Sequence, residues 1–192
     1  MTDPTPRPPA AVVIGASAGA IDALSVILPA LPTSFPLPVL IVVHVPGHPQ
    51  SMLAELFGNR CALLVKEAED KETIRPGTVY FAPSDYHLLV EPDFTLSLSS
   101  DEPVLYSRPA IDVLFQSAAD AYGDGLTGII LTGANSDGAA GLRAIRDAGG
   151  TALIQDPATA QGTAMPRAAI TACPDARVAS LAEIAAFLHA IT

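Results

Sequence analysis

The feature that most constrains the fold of this 192-residue chain is a set of short apolar runs, each bounded by glycine, proline or a polar residue. Residues 11–16 read Ala-Val-Val-Ile-Gly-Ala, residues 39–43 read Val-Leu-Ile-Val-Val, and residues 128–133 read Gly-Ile-Ile-Leu-Thr-Gly. Such runs are typical of strands that are buried on both faces. Helical patterns alternate with them, which predicts an α/β fold: a doubly wound, mostly parallel sheet with helices on both faces.

Other segments complete the predicted pattern. Further strands are predicted at 62–65, 78–82, 127–132 and 151–155. The segment 86–99 differs, because two apolar runs flank Glu91-Pro92-Asp93, and this arrangement predicts an antiparallel hairpin.

Helices are predicted where apolar residues recur at a spacing of three or four. These helices cover about 21–28, 52–58, 111–122, 136–148, 163–171 and 180–188. In the first of them, Ile21, Leu24 and Ile27 form the expected apolar face. The last opens with Ser180-Leu-Ala-Glu183, which is the pattern of a capping box.

Composition limits the class of protein. Residues 1–10 are polar and rich in proline, which predicts a flexible tail and not a signal peptide, and residues 11–192 are predicted to form one domain. No apolar run approaches the ~20 residues that cross a bilayer.

Cys61 and Cys173 show no CxxC pattern and are predicted to be free thiols in a reducing compartment, so we expect the chain to be cytoplasmic. A net charge of −10 argues against nucleic acid or an anionic membrane as a partner. The sequence leaves the oligomeric state open.

Three polar residues follow the three apolar runs. Ser17 follows the first run, His44 follows the second, and Asp137 follows the third after a short link. In an open parallel sheet, ligands bind outside the carboxyl ends of the strands. A nucleophile, a base and a carboxylate at this edge predict a Ser-His-Asp hydrolase.

Each of these residues also has a purely structural interpretation. Ser17 and Asp137 each precede a predicted helix, and serine and aspartate are preferred helix N-caps. His44 is explained equally well as the polar end of a strand. Capping and catalysis are compatible at one residue, and catalysis has the advantage of accounting for all three together.

Other chemistries lack their motifs. Gly15-Ala-Ser-Ala-Gly19-Ala20 is not the GxGxxG turn of dinucleotide-binding proteins, and no GxxxxGK[ST] motif occurs. His44 and His48 are separated by Pro46-Gly47, which excludes the helical spacing of a zinc pair. The order Ser, His, Asp differs from the Ser, acid, His order of α/β-hydrolases. The sequence therefore predicts neither a cofactor nor a metal.

Six segments form an ordered set of motifs along the chain. They are Gly15-Ala-Ser-Ala-Gly19, His44-Val-Pro, Phe81-Ala-Pro-Ser-Asp-Tyr-His87-Leu, Arg108-Pro-Ala-Ile-Asp-Val-Leu-Phe115, Leu131-Thr-Gly-Ala-Asn-Ser-Asp-Gly-Ala-Ala-Gly141, and Gln155-Asp-Pro-Ala-Thr-Ala160 with Met165-Pro-Arg-Ala-Ala-Ile170. In this order they resemble the catalytic domain of the chemotaxis protein-glutamate methylesterases, the CheB family, and the resemblance runs from about residue 11 to residue 191.

This resemblance implies hydrolysis of glutamyl methyl esters on the cytoplasmic helices of methylated chemoreceptors, with release of methanol, and deamidation of receptor glutamines. By position, the family's nucleophile, histidine and aspartate fall on Ser17, His44 and Asp137. The backbone near Ala18 and Ala134 is the expected oxyanion site, and no cofactor is implied. Two alternatives stay open: a catalytically degenerate module that binds a receptor or partner, and a general small-ester hydrolase.

The chain departs from the family pattern at three places. The family has Thr and then Gly-Gly after the nucleophile, where this chain has Ala18 and Gly19-Ala20. The family has Met-Gly where this chain has Ala134-Asn135. Typical members carry an N-terminal phospho-receiver domain, whereas only a ten-residue tail precedes the predicted domain, so we expect no attached receiver.

Overall fold

Seven parallel strands form the central sheet of the protein in a computed structural model that describes residues 10–44 and 51–191. The predicted tail lies outside the described residues, apart from Ala10. The strands of this sheet are β1 (Ala11–Ala16), β2 (Val39–Val43), β3 (Leu64–Glu67), β4 (Thr78–Phe81), β7 (Leu126–Ile130), β8 (Thr151–Gln155) and β9 (Arg177–Ala179). Their order across the sheet is β3-β4-β2-β1-β7-β8-β9. A separate antiparallel hairpin contains β5 (His87–Val90) and β6 (Leu96–Ser99). The predicted parallel sheet and hairpin are therefore confirmed.

Six helices cover the two faces of the sheet within the described ranges. They are α1 (Ala20–Ile27), α2 (Ser51–Gly58), α3 (Ile111–Tyr122), α4 (Ala139–Asp147), α5 (Ala164–Ala172) and α6 (Leu181–His189). Side chains of β1 alternate between the two faces: Val13 belongs to the core under α3, α4 and α5, whereas Val12 and Ile14 belong to the core under α1, α2 and α6. Helices are needed on both faces because the central strands β1, β2 and β7 are buried on both sides.

The structure corrects several predicted details. The third strand begins two residues later than predicted, at Leu64. Strand β9 was not predicted, because it is a three-residue edge strand with an exposed Arg177 and Val178 and has no apolar run. Helix α4 begins at Ala139 because its cap, Gly138, has a left-handed backbone. Ile21 was predicted to face the core but is 46% exposed.

Neither cysteine is in a disulfide, as the sequence predicts. Cys173 is buried and Cys61 is partly buried. Burial raises the pKa of both thiols, which keeps them in the less reactive protonated form. No helix in the described part of the chain is both long enough and apolar enough to cross a membrane.

The winding of the sheet reverses between β1 and β7. From β1 the chain passes to β2, then to the edge strand β3 and back to β4 between them, and it later returns to β7 and proceeds outward on the other side through β8 and β9. The carboxyl ends of β1 and β7 therefore lie at the point where the winding reverses. Open α/β sheets bind their ligands at this position.

Gly15 brings α3 against the central strand. A Cβ atom added to Gly15 would lie 2.4 Å from Cγ2 of Ile111, the first residue of α3. The bare backbone of Gly15 therefore makes room for the start of α3. The N-terminus of α3 comes to lie beside the end of β1 for this reason.

The substitution Gly15→Ala tests this contact. The added methyl group has to displace Ile111, and such overpacking typically costs about 1–3 kcal/mol of the free energy of unfolding. Gly58→Ala is the matched control, because a Cβ at Gly58 would meet nothing within 4 Å. Urea unfolding of both variants should show a loss for Gly15→Ala and none for Gly58→Ala. Equal stability of the two variants would contradict the proposed packing role.

Candidate active site

Ser17 and His44 follow neighbouring strands at the same level. The register of β1 and β2 pairs Ala16 with Val43, so Ser17 and His44 are one residue beyond the last pair. The backbone N–H of His44 donates a hydrogen bond of 3.0 Å to the carbonyl of Ala16. Because paired strands lie ~5 Å apart, the two residues leave the sheet as neighbours.

A tight turn holds Ser17 at the end of β1. The N–H of Ala20 donates to the carbonyl of Ser17 at 2.9 Å, and the N-cap of α1 is Gly19, with a left-handed φ of 83°. The hypothesis that Ser17 caps this helix is therefore wrong. A side chain at Gly19 would be strained by its φ and would also lie 2.7 Å from the Gln161 side-chain oxygen. The turn thus needs glycine at that position, and the serine side chain is not used for capping.

The Asp137 carboxylate lies at the N-terminus of α3. It is fully buried, and it accepts hydrogen bonds from the N–H of Ile111 at 2.7 Å and of Asp112 at 2.9 Å, one on each oxygen. The free N–H groups and the dipole at the start of a helix stabilise an anion. Asp137 was considered as a cap for the helix that follows it, α4, but the cap of α4 is Gly138. Its carboxylate caps α3 instead.

The same carboxylate contacts His44. Nε2 of His44 lies 2.9 Å from Oδ2 of Asp137, and the His44 side chain is 10% exposed. The approach does not meet the angular requirement of a hydrogen bond, so the pair is a close contact between an imidazole and an anion. Neither ring nitrogen of His44 has a hydrogen-bond partner among the described residues, so no hydrogen bond joins His44 to Ser17 in this structure. The structure therefore brings Asp137 to His44 and places Ser17 at the neighbouring strand end.

Comparisons with known proteins identify the family of this chain. Residues 12–188 match the model of the family described as CheB methylesterase. The chain belongs to the CheB methylesterase family. A relative from Leptospira interrogans, whose name assigns it to the protein-glutamate methylesterases/protein-glutamine glutaminases, is 51% identical over 175 residues, which are 91% of each chain. The protein-glutamate methylesterase FrzG of Myxococcus xanthus is 39% identical over 95% of this chain and 55% of its own length.

A solved structure shares the fold of this CheB-family chain. The CheB methylesterase catalytic domain of Thermotoga maritima superposes with a TM-score of 0.91 at 33% sequence identity, covering 96% of this chain and 99% of that one. The fold described above is therefore that of a CheB catalytic domain.

Thr132 supports the turn that carries Ser17. Its hydroxyl donates to the carbonyl of Ala18 at 2.7 Å and accepts from the N–H of Gly162, also at 2.7 Å. Its carbonyl accepts from the N–H of Ser17 at 2.9 Å, and its own N–H donates to the side-chain oxygen of Gln155 at 2.9 Å. One buried threonine thus connects β1, β7 and the loop after β8. This role was not predicted from the sequence, although Thr132 and Gln155 both lie in the segments that resemble the family.

The predicted oxyanion donors have their amides available. Among residues 10–44 and 51–191, the N–H groups of Ala18 and Ala134 take part in none of the backbone hydrogen bonds. Ala134 follows Gly133, whose N–H is already bonded to the carbonyl of Gly162. Both amides lie in loops beside Ser17 and Asp137, so their role in binding an oxyanion stays a prediction that this geometry permits.

A second buried carboxylate, Asp112, was not predicted. The residue is 9% exposed, and its Oδ1 accepts a hydrogen bond of 2.6 Å from the N–H of Gly141 in α4. Asp112 belongs to α3 and binds the start of α4, while Asp137 precedes α4 and binds the start of α3. The two helices are therefore joined by reciprocal carboxylate caps. Sequence reasoning missed Asp112 because its partner, the N–H of Gly141, is 29 residues away along the chain.

Burial raises the pKa of the Asp112 carboxyl. Backbone N–H groups, that of Gly141 above all, oppose this rise, and the nearby Asp137 carboxylate adds to it. No group of three or more His, Cys, Asp or Glu residues that could hold a metal ion is found in the described part of the chain. His48, which was weighed as a metal ligand, lies outside the described residues.

The raised pKa predicts a pH-dependent effect of Asp112→Asn. A carboxyl whose pKa is higher in the folded state stabilises the fold below its unfolded pKa, ~3.9, and loses this contribution as pH rises through the folded value. The variant should therefore gain stability relative to the wild type between about pH 4 and pH 7. Urea unfolding of both proteins at the two pH values measures this difference. If the difference in unfolding free energy stayed constant with pH, or if the wild type gained stability relative to the variant, the pKa of Asp112 would not be raised.

Proposed function

We propose that this chain is a serine hydrolase that demethylates glutamyl methyl esters on the cytoplasmic helices of chemoreceptors, with Ser17, His44 and Asp137 as its catalytic triad. The observation that carries the proposal is the fully buried Asp137 carboxylate 2.9 Å from His44, on the strand next to that of Ser17. Membership of the CheB methylesterase family and the names of the relatives support the reaction and its substrate. Such a substrate would place the reaction in the cytoplasm.

The first half of the reaction forms a covalent intermediate. His44, through Nδ1, takes the proton of the Ser17 hydroxyl as Oγ attacks the carbonyl carbon of the ester. The oxyanion that forms would be held by backbone N–H groups of the Ala18 and Ala134 loops. When this tetrahedral adduct collapses, the C–O bond to the methoxy group breaks, and His44 gives its proton to that group, which leaves as methanol. The product of this half is a glutamyl ester of Ser17.

The second half releases the receptor. A water molecule gives a proton to His44 and attacks the acyl carbon, and His44 then returns that proton to Ser17. The receptor leaves with a free glutamate carboxylate. With glutamine as substrate, the same sequence releases ammonia in place of methanol, which fits the glutaminase activity in the names of the relatives.

Asp137 has a defined part in both halves. Its two oxygens are fixed by the α3 amides of Ile111 and Asp112, so Oδ2 is held in place beside the His44 ring. A fixed negative charge at Nε2 keeps the proton of the neutral ring on that nitrogen and stabilises the imidazolium that forms when Nδ1 gains a proton. Asp137 does not need to accept the proton itself.

Ser17→Ala tests the proposed nucleophile. The loss of a triad nucleophile typically lowers kcat by roughly 10⁴–10⁶. The fold should persist, because the Ser17 side chain does not cap α1 and the turn depends on backbone bonds. The assay is methanol release from methylated receptor membranes, and thermal melting checks the fold. Ser25→Ala in α1 is the matched control and should retain full activity.

Three outcomes would contradict the proposal. Near-normal methanol release by folded Ser17→Ala would remove Ser17 from the mechanism. Binding of receptor membranes by the wild type with no methanol release would favour the degenerate binding module. Hydrolysis of a small chromogenic ester with the same kcat/KM as receptor esters would favour a general small-ester hydrolase.

A further inference from the structure

The loop between β6 and α3 contains a two-residue turn at Leu105 and Tyr106. The N–H of Val104 donates to the carbonyl of Ser107 at 3.1 Å, and the N–H of Ser107 donates back to the carbonyl of Val104 at 2.9 Å. These two bonds form a small antiparallel bridge. Leu105 and Tyr106 are the residues at its tip.

Both tip residues have an unfavourable backbone. The φ angles are 47° at Leu105 and 64° at Tyr106, so both residues are left-handed. Two-residue turns with two left-handed residues strongly prefer Asn-Gly or Asp-Gly, because a branched or aromatic side chain is strained there. Strained backbone of this kind is concentrated at functional sites.

The same two side chains are exposed to solvent. Tyr106 has a relative exposure of 103% and Leu105 one of 48%. Because the Leu105 and Tyr106 side chains are not buried in the core, hydrophobic burial offsets little of the strain in their backbone. A large apolar residue that is both strained and exposed points to a contact outside the domain.

The base of the loop is held firmly. The Arg108 guanidinium donates to the carbonyl of Ser100 at 2.9 Å. Nδ1 of the buried His87 accepts from the N–H of Ala110 at 3.1 Å, so Nε2 carries the ring proton and donates to the carbonyl of Glu102, also at 3.1 Å. The tip is therefore presented on a fixed base.

This loop leads directly into the candidate site. Tyr106 is five residues before Ile111, whose N–H binds the Asp137 carboxylate at 2.7 Å. Five residues span at most ~17 Å. A protein helix, which is ~10 Å wide and longer than that span, can reach the tip while its ester lies at Ser17. A small ester offers no such extended surface.

We propose that Leu105 and Tyr106 form a specificity-determining contact with the ester-bearing helix of the protein substrate. The contact packs against apolar side chains of that helix and favours protein-borne esters over small soluble esters. Net charge supports an apolar contact, because a chain of charge −10 is not attracted to a helix that carries glutamate carboxylates. This inference rests on the proposed function and names the surface that would select its substrate.

The double variant Leu105→Asn/Tyr106→Gly tests the role of the two side chains while it preserves the turn. It removes both apolar groups and installs the residues that such a turn prefers, so its melting temperature should equal or exceed that of the wild type. We expect the ratio of kcat/KM for methylated receptor membranes to kcat/KM for the γ-methyl ester of N-acetylglutamate to fall about tenfold, mainly through a higher KM for the membranes.

A control on the opposite edge of the sheet makes the result specific. Leu64, the first residue of β3, is 63% exposed at the amino ends of the strands, so Leu64→Asn removes a similar apolar group far from Ser17. Leu64→Asn should keep the wild-type ratio. An unchanged ratio in the double variant, or an equal loss on both substrates, would overturn this inference while the proposed function stands. A wild-type enzyme that releases no methanol from the membranes would overturn both.

Discussion

The Asp137 carboxylate is fully buried, and an ion in that position is stable only where its surroundings replace the water it has lost. The first two amides of α3 and the ring of His44 do this. The position of α3 follows from the same requirement, since its N-terminus has to point at the carboxylate. Gly15 then has to be a glycine, because Ile111 at that N-terminus packs against the bare backbone of β1. One anion thereby fixes where a helix, a central strand and a histidine meet.

The sheet supplies the remaining geometry. Strands β1 and β2 are neighbours in register, so Ser17 and His44 emerge side by side. Strand β7 lies on the other side of β1, and Thr132, which follows it, bonds to the backbone of Ser17 and Ala18. Backbone pairing therefore positions the candidate residues Ser17 and His44, whereas Asp137 lies in the loop between β7 and α4. The Thermotoga maritima catalytic domain has the same fold at 33% identity.

The sequence predicted those parts of the molecule that depend on local pattern. Apolar runs indicated the sheet, and the capping box of Ser180 and Glu183 is present in the structure as predicted. The position of a polar residue at a strand end was enough to nominate Ser17, His44 and Asp137, and their catalytic roles remain proposals. Contacts between distant segments could not be predicted. Asp137 caps a helix that begins 26 residues earlier in the chain, and Asp112 and Thr132 owe their importance to partners that only the fold brings near.

The most direct test of this account is the free energy of unfolding of Asp137→Asn, measured with urea beside the wild type. An asparagine side chain has one acceptor oxygen and one donor NH₂ group, so one of the two α3 amides would face a donor and lose its bond. The account predicts a loss of about 1–3 kcal/mol, in addition to any effect on the reaction. An unfolding free energy equal to that of the wild type would contradict the claim that this carboxylate anchors α3, and would leave it with a role at His44 alone.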